Sequence, residues 1–289
     1  MNAVNDRARP AAVVTGVSSG IGLAIAEDLL QHGYQVFGSV RRVADAEGLV
    51  KQWGEAFVPL VFDVTDAEAL PGIVAQVAAM VGERGLKALV NNAGIGLNGP
   101  IIEQPMSEIR QTFEVNFFGA LQVSRAFLPL LGTRPGAKSR GRIVNIGSVS
   151  GGFTMMFMTA YSASKHAVEA LTQGLRRELK LYGIEVSCIE PGFIRTRILD
   201  PAAGDKMRQQ YVSSNYKAWW RQFTDSIFAA ADKAKPVEVV TKAVRHALEA
   251  PKPRTRYPLD VMWTIGRILP DRAFDKFAFK ITGLDKLLR

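Results

Sequence analysis

The sequence has few of the residues that build disulfide frameworks or metal clusters. It contains one cysteine, Cys188, and three histidines in 289 residues. One cysteine can form neither an internal disulfide nor a cysteine-based zinc cluster. Its place in an apolar stretch favours a buried thiol in a reducing compartment. We therefore expect a cytoplasmic protein without a metal site.

Long apolar runs are missing as well. The uncharged stretch 143–164 is long enough to cross a bilayer, but it is rich in serine, glycine and threonine. We expect no transmembrane helix from such a composition.

The charge is unevenly distributed. The net charge is +9, and from position 251 onward nine Lys or Arg stand against four Asp. A basic surface is one feature of nucleic-acid-binding proteins. No strand interleaves aromatic and basic residues and no recognition helix accompanies the charge, so we expect no nucleic-acid partner.

Short β-branched runs alternate with amphipathic stretches along most of the chain. This alternation predicts a doubly wound parallel sheet of about seven strands with helices on both faces. The fold class is α/β, a single Rossmann-type domain over 1–250 with a basic extension of the same domain over 251–289. Strands are expected at 11–17, 35–41, 57–64, 86–90, 142–149 and 184–190, and two of the helices at 67–84 and 107–131.

A glycine-rich turn follows the first strand. Gly16, Gly20 and Gly22 stand just before an apolar helical stretch. Glycines let the backbone approach a pyrophosphate, and the free N–H groups at a helix start favour its negative charge. The turn predicts a dinucleotide site.

The second strand ends in Arg41 and Arg42, with no acidic residue. At this place an acid favours a free ribose hydroxyl and an arginine favours a 2′-phosphate. We predict a preference for NADP(H), with NAD(H) as the alternative.

Polar residues follow the next two strands. Thr65 or Asp66 can cap the helix at 67–84, and the alternative to such a capping role for this segment is contact of Asp63 with an adenine. Asn92 and Gly94 form either a plain turn or the floor of a cleft. Asn116 lies inside the helix at 107–131, expected to be capped by Ser107, where a buried amide needs hydrogen-bond partners.

Tyr161 and Lys165 are four residues apart in a helical stretch, so their side chains share one face. A phenol is a poor proton donor at neutral pH, and a nearby ammonium stabilises its phenolate. Tyr161 would then exchange a proton with an alcohol or ketone oxygen, while the Ser148 hydroxyl bonds the same oxygen.

These features together resemble the short-chain dehydrogenase/reductase family over about residues 10 to 200. The resemblance rests on motifs in their family order: Thr15-Gly16-x-x-x-Gly20-Ile21-Gly22, Asn91-Asn92-Ala93-Gly94, Asn116, Ser148, Tyr161-x-x-x-Lys165 and Pro191-Gly192.

The resemblance implies roles for particular residues. Tyr161 is the general acid or base, Ser148 positions the substrate oxygen, Lys165 assists the tyrosine and binds the nicotinamide ribose, and Asn116 holds a water chain. The remaining cofactor residues it implies are Gly16, Ser18, Ser19, Gly20, Ile21, Gly22, Asp63, Val64, Asn92, Ala93, Gly94, Pro191, Gly192, Ile194 and Thr196. It also implies a homodimer or homotetramer.

The substrate side is rich in methionine and aromatic residues. Met155, Met156, Phe157 and Met158 lie between Ser148 and Tyr161, and further aromatic residues follow in a lid expected at about 195–235. Such residues form either core or a wide apolar pocket. The pocket interpretation predicts a small lipophilic carbonyl or alcohol substrate.

The extension at 251–289 resembles that of the retinol and 17β-hydroxysteroid dehydrogenase branch. Phe274, Phe277, Ala278 and Ile281 form an apolar helical stripe flanked by basic residues. This stripe either packs over the substrate site or a neighbouring subunit, or gives peripheral membrane contact through 270–289. A different class of function, a sensor or scaffold that binds NAD(P) without turnover, is the alternative to an enzyme.

Overall fold

The computed structural model describes residues 9–137, 140–196, 201–230 and 233–288. Seven strands form one parallel sheet in the order β3-β2-β1-β4-β5-β6-β7. They are β1 (Ala11–Val14), β2 (Gln35–Val40), β3 (Phe57–Val61), β4 (Ala88–Asn91), β5 (Arg142–Ile146), β6 (Glu185–Glu190) and β7 (Arg256–Pro258). The strand order reverses at β1, and open sheets bind ligands at such a point.

Helices connect these strands and cover both faces of the sheet. They are α1 (Gly20–Gln31), α2 (Glu47–Trp53), α3 (Leu70–Val81), α4 (Met106–Phe113), α5 (Ala120–Leu128), α6 (Thr159–Glu178), α7 (Pro201–Arg208), α8 (Lys217–Ala229), α9 (Glu238–Glu249), α10 (Val261–Ile268) and α11 (Asp271–Thr282). One buried apolar cluster includes Ile25 of α1 and Val244 of α9, and a second includes Val77 of α3 and Phe127 of α5. The doubly wound α/β fold expected from the alternating pattern is confirmed.

The helix expected at 107–131 differs from the prediction in two ways. It begins at Met106 after Pro105, and Ser107 does not cap it. The π-helical segment Glu114–Gly119 interrupts it, and a second, Pro129–Thr133, ends it. Proline at the start needs no capping partner for its own nitrogen, because that nitrogen carries no hydrogen.

Three expected strands each end three residues earlier than predicted. The first ends at Val14, the third at Val61 and the fifth at Ile146, so Asp63 and Ser148 lie in the loops beyond the strand ends. Of the expected lid, 197–200 and 231–232 lie outside the described residues, as do the first eight residues of the expected domain.

The C-terminal extension contributes β7, α10 and α11. Phe274 and Ala278 of α11 are buried against Phe153 of the loop that precedes α6. The apolar stripe of α11 is therefore used inside the chain, except for Ile281, which is exposed. Among the described residues, no helix combines the length and the hydropathy that a membrane crossing requires.

Candidate active site

A cavity of about 940 Å³ opens at the carboxyl ends of the central strands. Most residues singled out in the sequence line it: Gly16, Ser18, Ser19, Gly20, Ile21, Gly22, Arg41, Asp63, Val64, Asn92, Ala93, Gly94, Ser148, Tyr161, Lys165, Pro191, Gly192, Ile194 and Thr196. Arg42 and Asn116 are not part of its wall.

Hydrogen bonds from β4 and β2 fix the glycine turn. The Asn92 side chain donates from Nδ2 to the carbonyl oxygens of Thr15 (2.9 Å) and Gly16 (3.2 Å). The Thr15 hydroxyl accepts the N–H of Asn92 at 2.9 Å and that of Ala93 at 3.0 Å. The N–H of Gly16 donates to Oγ of Ser39 at 2.9 Å. The Asn92 side chain therefore holds the backbone of the glycine turn in place.

The start of α1 has the properties that a pyrophosphate requires. The side chain of Ser19, at the N-cap, makes no capping hydrogen bond, and the first turn contains no acidic residue. The backbone N–H groups and the positive end of the helix dipole therefore face the cavity, and neither the N-cap side chain nor an acidic residue of the first turn binds them. A Cβ on Gly22 would overlap the Gly16 carbonyl and the Asn92 amide, so only glycine fits there. These features suit a dinucleotide.

The two arginines after β2 have different environments. Arg41 lines the cavity. Arg42 is held by Asp45, with Nη2–Oδ1 at 2.6 Å and Nε–Oδ2 at 3.1 Å, and its side chain is 78% exposed. An ion pair between residues three apart in sequence thus engages Arg42 away from the cavity.

Asp63 and Asp66 both make local hydrogen bonds after β3. Oδ1 of Asp63 accepts from the N–H and the hydroxyl of Thr65 at 2.9 and 2.8 Å. Oδ1 of Asp66 accepts the N–H groups of Glu68 and Ala69, both at 3.1 Å, before α3. Asp66 therefore stabilises the turn that leads into α3. Asp63 stabilises a turn as well, but it also lines the cavity.

Ser148, Tyr161 and Lys165 line the same cavity. Lys165 is buried, and its Nζ donates to the Ile146 carbonyl at the end of β5 at 2.9 Å. The same nitrogen lies 5.8 Å from the centre of the Tyr161 ring. The Ser148 hydroxyl accepts the N–H of Ser150 at 3.1 Å, which leaves its own hydrogen available for donation.

Asn116 lies behind this group, in the first π-helical segment. Its Oδ1 accepts the N–H of Ile95 at 2.8 Å, and its Nδ2 donates to the Ile95 carbonyl and to the Ser164 hydroxyl, both at 2.9 Å. The amide therefore joins the loop after β4 to α6, one residue before Lys165. π-Helical segments are rare and frequent at functional sites.

One part of the cavity wall is largely apolar. It contains Phe153, Met155, Met158, Phe193, Met207, Ile227 and Phe228. Of the lid aromatics, Trp220 and Phe223 are core residues that pack with Phe157. The methionine and aromatic clusters are thus divided between core and cavity.

Two residues of the site, Phe153 and Ser39, were not identified from the sequence, because the residues they contact are distant along the chain.

Comparison with known proteins places the chain among dehydrogenases. A family model described as short chain dehydrogenase matches residues 10–206. A relative from Ornithobacterium rhinotracheale, NADPH-dependent 3-dehydrocapnine reductase, is 41% identical over 93% of this chain and 96% of its own. Mouse retinol dehydrogenase 16 is 34% identical over 84% of this chain and 78% of its own.

The fold also has a counterpart among solved structures. The crystal structure of a short-chain dehydrogenase from Streptomyces avermitilis superposes with a TM-score of 0.75, at 29% identity and with 98% of both chains covered. Its match extends through the C-terminal extension, which the family model does not reach. The chain therefore belongs to the short-chain dehydrogenase family, and it is an oxidoreductase that acts on CH–OH or C=O groups.

Proposed function

We propose that the protein is an NADP(H)-dependent oxidoreductase of a lipophilic ketone or secondary alcohol, with Ser148, Tyr161, Lys165 and Asn116 as its catalytic set. The observation that carries the proposal is the shared cavity. Tyr161, Ser148 and Lys165 line the same space as the glycine turn at the start of α1. Any substrate oxygen within reach of Tyr161 is then close to a bound dinucleotide.

The proton chemistry follows from these side chains. In the reductive direction Tyr161 donates its phenolic proton to the substrate oxygen, and the Ser148 hydroxyl donates a hydrogen bond to that oxygen. The Lys165 ammonium stabilises the phenolate that remains, because the buried Nζ lies 5.8 Å from the centre of the Tyr161 ring. Asn116 holds the backbone at Ile95 in place beside them. The nicotinamide, when bound, supplies the hydride.

The cofactor is NADP(H) in preference to NAD(H). Arg41 brings a positive charge to the cavity wall next to the end of β2, and no acidic residue precedes it on that strand. The Ornithobacterium relative is named as NADPH-dependent, which supports the same preference.

The apolar wall supports a lipophilic substrate. Phenylalanine, methionine and isoleucine side chains line the same cavity as Tyr161, and this apolar surface favours a substrate that is itself apolar. By its name, the Ornithobacterium relative reduces a 3-dehydro compound, which is a ketone. We therefore propose 3-dehydrocapnine as the first ketone to test. Cytoplasmic location and assembly as a homodimer or homotetramer stay predictions.

The first experiment tests the role of Tyr161. Y161F is compared with Y182F, which removes an exposed phenol just beyond α6. NADPH oxidation is followed with 3-dehydrocapnine and with a panel of long-chain and short polar ketones. Because a positioned general acid contributes about 10²–10⁴-fold, Y161F should lose at least about a hundredfold in kcat while Y182F keeps the native rate.

Two outcomes would contradict the proposal. Equal rates for Y161F and Y182F would remove Tyr161 from the reaction. Turnover of short polar ketones with a higher kcat/KM than every lipophilic ketone would remove the lipophilic substrate.

A further inference from the structure

A buried polar cluster lies directly behind the catalytic group, where three parts of the chain meet. Glu169 of α6, Cys188 and Glu190 of β6 and Arg256 of β7 place their polar atoms together. Glu169, Cys188 and Glu190 are almost fully buried. The catalytic chemistry described above uses none of these four residues.

Arg256 is the cation of this cluster and comes from the C-terminal extension. Its Nε and Nη2 donate to Oε2 of Glu169 at 3.0 and 2.7 Å, and Nε lies 3.2 Å from Oε1 of Glu190. The indole of Trp263 packs on the Arg256 guanidinium at 5.7 Å. Arg256 thus has a fixed, two-point contact with a buried carboxylate.

Of the three acidic groups in this cluster, Glu169 is the one expected to carry a negative charge. Burial, and next the adjacent Glu169, raise the pKa of Glu190, which favours its neutral form. The same two causes raise the pKa of the Cys188 thiol, whose Sγ donates to Oε1 of Glu169 at 2.9 Å. Glu169 is then the carboxylate that Arg256 neutralises.

Glu169 lies one turn after Lys165 on α6, so both residues face the same side of the helix. Lys165 is close enough that its positive charge partly offsets the shift at Cys188. The loop carrying Ser148 sits on the same turn, since a Cβ on Gly151 would lie 3.0 Å from both Cγ of Glu169 and the Lys165 carbonyl. A change in the charge or place of Glu169 therefore reaches Lys165 directly.

We propose that Arg256 is a positioning residue, which through Glu169 fixes the turn of α6 that carries Lys165 and balances the charge beside it. Without Arg256, the buried Glu169 carboxylate would lose the cation it binds, and Lys165 lies one turn before it on the same face of α6. Arg267, whose guanidinium lies 4.8 Å from the Trp263 ring, is another cation beside the cluster. The ammonium would then be drawn from the Ile146 carbonyl and from Tyr161. The inference rests on the proposed function, because it assumes that Tyr161 and Lys165 act as a pair.

The test follows the ionisation of Tyr161 by its tyrosinate absorbance across pH, as the difference between each variant and the same variant carrying Y161F. R256M should move the midpoint of this titration up, and E169Q should move it down. The directions are opposite because the first change removes a positive charge and the second removes a negative one. R256M with E169Q should return the midpoint towards the native value.

R245M is the matched control. Arg245 pairs with Asp28 at 3.1 Å, and its side chain is 27% exposed, the same fraction as that of Arg256. Its ion pair joins α9 to α1, away from Lys165. R245M should leave the midpoint and kcat unchanged. R256M should lose about tenfold in kcat for NADPH-dependent ketone reduction, since small misplacements of reacting groups cost up to about a hundredfold.

The results separate the two ideas. A midpoint for R256M equal to that of R245M, or shifts of the same sign for R256M and E169Q, would overturn the role of Arg256 even if Y161F is inactive. A Y161F variant with the native rate would overturn the proposed function instead. If R256M does not fold, R256Q takes its place, with the same upward shift expected and the same outcomes that would overturn the role of Arg256.

Discussion

The choice between NADPH and NADH gives a sharp test of one local contact. Both Arg41 and Arg42 follow β2, and the sequence alone does not distinguish them. In the structure Arg41 lines the cavity, whereas one edge of the Arg42 guanidinium, Nε and Nη2, donates to both carboxylate oxygens of Asp45. We predict that R41Q weakens NADPH use and that R42Q does not.

The magnitude follows from exposure and partners. Arg41 is exposed and, among the described residues, pairs with no carboxylate, so its charge is available to a 2′-phosphate. A hydrogen bond to a charged group contributes about 1.5–3 kcal/mol, and less where solvent reaches it. For the exposed Arg41 we take the lower end of this range, which is about a tenfold change in NADPH affinity. R41Q should raise the KM for NADPH about tenfold and change the KM for NADH less than about threefold.

The assay measures initial rates with both cofactors at a fixed ketone concentration. R42Q is the matched control, since it removes the same functional group one residue further along. R42Q should change either KM by less than about threefold. A larger effect on NADPH from R42Q than from R41Q would refute the reasoning, and so would an equal loss of NADPH and NADH in R41Q.

Two further predictions concern stability. G266A should lower the free energy of unfolding by about 1–2 kcal/mol, because its Cβ would lie 2.6 Å from Cβ of Phe153 and overpacking outweighs the helix propensity of alanine. G48A, in an open position of α2, should raise it by about 0.5–1 kcal/mol, and urea unfolding of both variants measures the contrast. Burial and Glu169 raise the pKa of Glu190 to about 9, so its contribution to stability is full below its ordinary value of 4.5 and is lost as the pH rises through 9. Between pH 6 and pH 8.5 the free energy of unfolding should therefore fall more steeply for the native protein than for E190Q, by up to about 1.4 kcal/mol per pH unit. An equal fall for the two proteins would contradict the raised pKa of Glu190.

The parts of the site that the sequence predicted are those set by local spacing. The glycine turn lies between a strand and a helix that adjoin it, and Tyr161 and Lys165 are one helical turn apart. In each case the chain connectivity alone brings the groups together. The ion pair between Arg42 and Asp45 was equally local, with a spacing of three residues, but it was not identified from the sequence.

The parts that the sequence did not predict depend on contacts between distant segments. Ser39 meets Gly16 because β1 and β2 are neighbours in the sheet, and Arg256 meets Glu169 across 87 positions. The π-helical segment around Asn116 spans six residues, which is too short to give a periodic signal of its own. Such features become visible only when the strand order is known.

The C-terminal extension shows why its apolar stripe cannot be assigned to a membrane from the pattern alone. Phe274 packs on Phe153 with ring centres 5.2 Å apart, and Thr282 accepts a hydrogen bond from Gln222 of α8 through its carbonyl. A membrane that took this face of α11 would leave Phe153 uncovered, and exposing a buried phenylalanine to water costs about 1.5–3 kcal/mol. It would also unpack the loop that carries Ser148. The buried part of the apolar stripe of α11 is therefore used for packing inside the protein and not for binding a membrane. Any membrane contact is left to the outer surface, where Val261 and Ile268 of α10 are exposed.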